Sequence, residues 1–418
     1  VTTQRTLTTV DAGIDAACRH IDAHELVTTL RALVRTRSVF DPAVANGTER
    51  AVAELVGAHL RRWGIDYVAR EVAPGRPNIV ADIRGRRGDG PVLILEGHTD
   101  VVTAGDPRGW SVDPFGGEIR DGRLYGRGAC DMKGGLAALL YAARAINASG
   151  RDFAGTLRLA ILADEEGLML GAKRFVADGY LDGATAAIIC EPEGDRVCVA
   201  QKGAIRLRVE LHGKMAHGCM PEQGANPLLA LGEVIHACRA LEAVIQGQRQ
   251  LHALLGTFTM TPTVAIGGER QQGNVIPARA ELVLDIRTTS EHDHDDVRAR
   301  VERAVAEAVA GVQGVQYDFA TLDDRPATET PVEDPIVQAA IAAHEAETGT
   351  RPPLGGVPGS TDGTIFWAAT GIPLVTWGPG ETTVPHQADE YVEIEQVTRY
   401  ARMYVAAALR YFDLLERR

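Results

Sequence analysis

Basic residues are in deficit, with 43 Lys and Arg against 56 Asp and Glu and a formal net charge of −13. Such a chain lacks the positive footprint that nucleic acid or an anionic membrane surface recruits, so neither is expected as a partner. The six cysteines, Cys18, Cys130, Cys190, Cys198, Cys219 and Cys238, form no C-x-x-C pair. A chain of this length needs no disulfide framework, so the thiols are expected reduced and mostly buried, in the cytoplasm. No apolar run reaches the length of a membrane span; the best stretch, 136–146, is short and carries Arg144. The first twenty residues lack the apolar segment of a signal peptide and read as a polar arm. Internal repeats and low-complexity tracts are also missing.

What is there is an ordinary globular composition, 45% hydrophobic and 24% charged, over 418 residues. That length exceeds one usual core, so two domains are expected. Helical spacing of apolar residues covers 24–37 and 48–63, and 67–72 and 78–83 read as strands. Four short apolar runs follow: 92–95, 157–163, 186–190 and 372–377. Helical patterns such as 135–148 and 171–179 lie between them. Runs of this kind are buried parallel strands, and the alternation implies an α/β fold: a mixed, mostly parallel sheet with helices on both faces. The segment 201–324 instead reads β-α-β-β-α-β, a ferredoxin-like unit inserted between 1–200 and 325–418.

Each of the four runs leads into metal-capable side chains just past its carboxyl end, the edge at which open α/β sheets bind ligands. The first leads to His98-Thr99-Asp100. A histidine can offer one ring nitrogen to a metal while a nearby acid holds the other, although H-x-D alone also describes a surface turn. Asp131 lies in GRGACDMKGG; its two oxygens could bridge two cations, or it could cap the helix that follows. Asp164-Glu165-Glu166 would repel one another without cations, unless they form a solvated acidic turn. Glu191 ends the AAIIC run, and His386 sits in a Gly/Pro-rich loop where a lone histidine is often only solvated. Together they offer imidazole and carboxylate with no thiolate, a set suited to Zn, Co or Mn.

With those residues in hand, the chain resembles the M20 metallopeptidase family, which groups N-acyl-amino-acid deacylases with carboxypeptidases and dipeptidases. The likeness runs from about residue 25 onward and includes, in order, GHTDVV, GRGACDMKGG, ADEEG, CEP, GKMAHGCMPEQGANP, GNVIP, DIRTT, GSTDG and GPGETTVPHQADEYV. The resemblance implies two divalent ions bridged by Asp131, one completed by His98 and Glu191, the other by Glu166 and His386. It makes Glu165 the general base, Asp100 the orienter of His98, and His217 an oxyanion-stabilising residue on a lid that also forms a homodimer. Asn274, Arg287, Gly359, Ser360 and Thr361 become substrate contacts, although Asn274 could only close a turn and Arg287 could pair with Asp285. His212 reads as structural, and His292 and His294 as a helix cap. Glu at position 191 is similar to the deacetylase, desuccinylase and aminoacylase members, so a small N-acyl amino acid is the expected substrate, with a dipeptidase or carboxypeptidase as the alternative. A thiol or serine hydrolase using Cys130 or Ser360, and a non-catalytic scaffold, are the competing classes.

Overall fold

A computed structural model describes residues Thr2–Val39, Asp41 and Thr48–Arg417, with side chains from Val10 onward. Four strands lie side by side and mutually parallel: Thr156–Leu162, Val92–His98, Ala184–Pro192 and Leu374–Gly378. They form the middle of a nine-stranded sheet, extended antiparallel by Arg76–Arg84 and Tyr67–Ala73 on one side and by Val197–Gln201 on the other. Burial on both faces explains why the central strands read as unbroken apolar runs rather than as alternating ones. The register pairs His98 with Leu162 and Gly378 with Pro192, so the four carboxyl ends share one edge.

Helices cover both faces. Leu170–Ala177 and Gly363–Thr370 bring Ala172, Phe175 and Phe366 onto Ile94, Ala160, Leu162, Ala187, Ile189 and Leu374. Gly134–Ala148 packs on other strand residues and beside Ile394–Glu416. Its sequence is apolar nearly all round, as a fully enclosed helix requires. Gly135 permits a close approach: a Cβ there would lie 2.0 Å from the carbonyl oxygen of Cys190, one residue before Glu191.

The polar arm expected at the start is instead a helix, Thr2–Cys18. Its Ile14, Ala17 and Cys18 are buried, and it packs against Ile394–Glu416, with Asp11 paired to Arg410 at 2.8 Å. Those three residues have helical i, i+3, i+4 spacing, but one weak stripe among threonines is easily overlooked.

The chain divides into two compact units, one of Val1–Val199, Glu329–Gly355 and Thr361–Arg418, the other of Ala200–Thr328 with Gly356–Ser360. The second unit runs Gly203–His212, Pro227–Gly247, Thr259–Gly267, Arg279–Thr288, His294–Ala310 and Gln316–Arg325, a strand-helix-strand-strand-helix-strand order. Its four-stranded antiparallel sheet is ordered Thr259–Gly267, Arg279–Thr288, Gly203–His212, Gln316–Arg325, as in a ferredoxin-like unit. Alternation does the work here: Ile205, Leu207, Val209 and Leu211 face inward onto Ala230, Val234, Val301 and Val305 of the two helices. Among the described residues, no helix is long and apolar enough to cross a membrane.

The contact at Gly135 generates a stability prediction. Gly135→Ala should destabilise the protein by about 1–3 kcal/mol, because backbone rather than a pliable side chain must yield. Urea unfolding measures this; an unchanged midpoint would refute the close approach.

Candidate metal centre

His98 is the last residue of its strand and is buried. Its Nδ1 lies 2.9 Å from the carbonyl oxygen of Asp100. A carbonyl can only accept, so Nδ1 donates to it and Nε2 is the atom turned to the carboxylates, the one a metal would replace a proton on. Nε2 lies 3.2 Å from Asp131 Oδ1 and 3.3 Å from Glu191 Oε1. The Asp100 carboxylate is 3.6 Å from Nδ1, too far for a hydrogen bond. It accepts the backbone N–H groups of Glu165 and Glu166, both at 3.1 Å. Asp100 thus orients His98 through its backbone and the acidic turn through its side chain.

Asp131 does not cap the following helix. It sits in the irregular turn Ala129–Lys133 with φ −116° and ψ 99°, and Lys133 occupies the N-cap position. Its Oδ1 faces His98, and its Oδ2 lies 3.3 Å from Nε2 of His386. One carboxylate therefore serves two imidazoles from opposite parts of the chain.

The three consecutive acids are divided by backbone geometry. Asp164 takes a left-handed φ of 72°. Its carboxylate pairs with Arg76 at 2.5 Å and accepts N–H groups from Leu168 and Leu170. Arg76 also binds buried Glu49. Glu166 Oε1 lies 2.9 Å from His386 Nε2. Glu165 gathers with His98 and Glu191, and Glu166 with His98 and Asp131, each set having ligand atoms within 4.8 Å of one another.

Burial dominates the electrostatics, and crowding of like charge adds to it. Burial first, then Asp131, pushes the Glu191 carboxyl up to about 8. Burial, only partly offset by His98, combines with Glu191 and Glu166 to hold Glu165 well above the usual carboxylate range. Burial opposes charge on Asp131, yet its bonds to His386 and His98 hold it below its usual value. His386 rises to about 10 through its bonds to Asp131 and Glu166. His98 is likewise raised against its own burial, chiefly by Glu191.

This donor set fits divalent cations. Carboxylates that repel one another in a poorly hydrated place are stabilised by positive charge, and imidazole with carboxylate oxygen is borderline-hard ligation. Two groups could each hold an ion while sharing Asp131: His98 with Glu191, and Glu166 with His386. Thiolate does not enter, because burial holds Cys130 and Cys190 well above the usual thiol range. The Cys130 thiol points at the carbonyl of Glu381, 3.7 Å away. Neither thiol has the lowered affinity for a proton that marks a nucleophilic cysteine.

Other residues stand as follows. His217 is exposed, on a short strand pairing Ala216–His217 with Val275–Ile276. Its Nδ1 accepts the N–H of Cys219 at 3.2 Å, which leaves the proton on Nε2. Asn274 is exposed, and its carbonyl accepts the N–H of Gly218. Arg287 grips Asp285 with Nε at 2.6 Å and Nη2 at 3.2 Å. Gly359 and Ser360 belong to the second unit, where the Ser360 hydroxyl donates to the Lys202 carbonyl. Thr361 belongs to the first unit, and its hydroxyl accepts the N–H of Gly363. His212 pairs with Asp318 at 2.9 Å. The expected cap at His292 and His294 is corrected: Asp293 caps that helix, while His294 binds Thr288 and Asp324.

Sequence reasoning missed the buried charges behind the clustered imidazoles and carboxylates: Arg76, Glu49, Arg127 and Glu390. Arg127 and Glu390 lie inside two of the motifs quoted above, so an unexplained charge in a glycine-rich turn was the available signal.

Residues 94–410 match the description Peptidase family M20/M25/M40. A probable succinyl-diaminopimelate desuccinylase of Staphylococcus epidermidis is 30% identical over 387 residues, covering 86% of this chain and 92% of its own. Among solved structures, the M20 family metallo-carboxypeptidase Sso-CP2 from Sulfolobus solfataricus superposes with a TM-score of 0.77 at 19% identity, covering 94% of this chain and 100% of that one. The Bacillus subtilis YXEP protein, described as a dinuclear metal binding peptidase, gives 0.70 at 20% identity, covering 94% and 98%. The chain belongs to Peptidase family M20/M25/M40, a family of metal-dependent hydrolases.

Proposed function

We propose that this chain hydrolyses the amide bond of a small N-acyl amino acid at a centre of two divalent ions, most simply Zn, with Co or Mn as substitutes. The observation that carries this reading is the Asp131 carboxylate, whose two oxygens face the Nε2 atoms of His98 and His386 separately. His98 and Glu191 would hold one ion, Glu166 and His386 the other. When bound, such a pair polarises a carbonyl and lowers the pKa of a water. Glu165 is the chain's own proton carrier. It stands beside the ligands in a poorly hydrated setting, and its raised affinity for a proton lets it take one from water and pass it to the leaving nitrogen. Asp100 keeps Glu165 in place by accepting its N–H. His217, with Nε2 protonated, can donate to a developing oxyanion. Asn274, Arg287, Gly359, Ser360 and Thr361 are the proposed substrate contacts; Arg287 would have to release Asp285 to bind a carboxylate.

The desuccinylase relative supports an N-acyl amino acid over a peptide, and Glu at position 191 favours the same choice. Turnover of N-acetyl, N-succinyl and long-chain N-acyl amino acids should exceed that of dipeptides. Faster dipeptide cleavage would shift the assignment to a dipeptidase or carboxypeptidase.

We further propose a homodimer built through the second unit, in the cytoplasm. Eight of the twelve large exposed apolar side chains among the described residues lie in that unit. Leu228, Leu229 and Val244 on the Pro227–Gly247 helix are joined by Ile266 on Thr259–Gly267, an edge strand of its sheet. Unpaired edges and contiguous apolar patches mark association surfaces. All six cysteines are free, which suits a reducing compartment.

Three outcomes are expected. Glu165→Gln should lower kcat by roughly 10²–10⁴-fold with little change in KM; wild-type turnover would remove Glu165 from its role. Leu229→Glu combined with Ile266→Glu should convert a dimer to a monomer in sedimentation velocity, and a wild-type monomer would end the dimer proposal.

The third concerns pH in the presence of a chelator. Glu191 moves from 4.5 to about 8 on folding, and His386 from 6.5 to about 10. In both windows the folded chain holds a proton that the unfolded chain has released, so stability falls as pH rises through roughly 5 to 10. Asp131, depressed on folding, contributes stability throughout that range and loses it only in acid. Chelated protein should therefore melt progressively lower from pH 6 to 10, and added Zn should flatten the slope. A pH-independent melting temperature under chelation would contradict this.

A further inference from the structure

One buried ion pair beside the site is unused by the chemistry above. Arg127 and Glu390 have side-chain exposures of 3% and 0% and are bonded to each other. Removing two charges from water costs several kcal/mol per ion unless other partners satisfy them. Their remaining partners are specific. Glu390 Oε1 accepts the backbone N–H groups of Cys130 at 2.9 Å and Asp131 at 3.1 Å. Arg127 Nε donates to the Thr103 carbonyl at 3.1 Å, and Nη2 to the His386 carbonyl at 3.3 Å. The guanidinium also lies over the Trp110 ring, 5.2 Å from its centroid.

We propose that the Arg127–Glu390 pair is a positioning device that ties the backbone of Asp131 to the backbone of His386, and that the Glu166/His386 cation position depends on it selectively. The inference rests on the two-ion reading above. Its asymmetry comes from the fold. His98 and Glu191 project from adjacent parallel strands of the central sheet, whose ladder sets their spacing. His386 has no strand beneath it. It lies outside any helix or strand, takes a φ of 66°, and has a half-exposed side chain. The Arg127 hydrogen bond links its backbone to the Asp131 turn through one shared pair of side chains.

Arginine suits this task because its fork reaches Glu390 and the His386 carbonyl from one plane, which a lysine ammonium on a flexible stem does not reproduce. Partners that orient a ligand from behind change metal affinity by about 10–100-fold when removed. A uniform structural contribution would weaken both ions together; a tie to the His386 loop weakens one.

The test is Zn²⁺ binding to the metal-stripped full-length protein, by calorimetry and by competition with a chromophoric chelator. Wild type should take two ions. Arg127→Met/Glu390→Gln, which removes both charges of the pair together, should keep one ion near wild-type affinity and bind the second about 10–100-fold more weakly. Arg127→Lys should fall between, and Glu390→Gln alone provides the same readout if the double variant does not fold. Circular dichroism checks the fold of each. Two ions retained at wild-type affinity, or both weakened alike, overturns the inference while leaving the two-ion reading intact. A wild type that binds fewer than two ions sinks that reading, and this inference with it.

Discussion

Everything at this sheet edge is organised around repulsion between acids. Asp131, Glu165, Glu166 and Glu191 converge with two imidazoles in a place with little water to screen them. An arrangement of that kind is unfavourable by itself, and proteins retain one where its charge is put to use. The rest of the first unit can be understood as the means of holding the acids together. Parallel strands buried on both faces fix His98 and Glu191, and a helix backed against the Cys190 carbonyl fixes the turn that carries Asp131.

The counter-charges are arranged with some economy. Arg76 takes Asp164 out of the acidic triplet, so two rather than three acids face the imidazoles. Asp100 receives the two N–H groups that would otherwise be unsatisfied in that turn. Neither arginine nor aspartate here needs to touch a substrate. Their contribution is to let adjacent residues Glu165 and Glu166 stand in different places, one with His98 and Glu191, the other with Asp131 and His386. The base and the ligand proposed here can thus be neighbours in sequence without competing for the same position.

Much of this was legible before any coordinates, for physical reasons. Strands buried on both faces leave an unmistakable apolar run, and the polar residue that ends such a run must sit at the ligand-binding edge. That logic located His98, Glu165, Glu166 and Glu191. It could not decide Asp131, whose role turns on the irregular φ and ψ of Ala129–Lys133 rather than on composition. Nor could it find Arg76 or Glu49, because a charge that will be buried against a distant partner looks like any surface charge in one dimension. The Thr2–Cys18 helix was missed for the opposite reason: its buried stripe is small, and its burial is supplied by Ile394–Glu416 from the other end of the chain.

The position of Leu374–Gly378 carries a consequence for how the protein is made. This strand follows the whole second unit in the chain, yet lies between Ala184–Pro192 and Val197–Gln201 rather than at a margin. During synthesis the sheet must wait with an open seam while the whole second unit emerges and folds on its own local pairings. Leu374–Gly378 and the loop that follows close the seam and bring His386 to Asp131 and Glu166, both made more than two hundred residues earlier. Until Leu374–Gly378 is made, the facing edges of Ala184–Pro192 and Val197–Gln201 lack the strand that pairs with them, and unpaired edges of that kind are what a chaperone that shields β strands recognises.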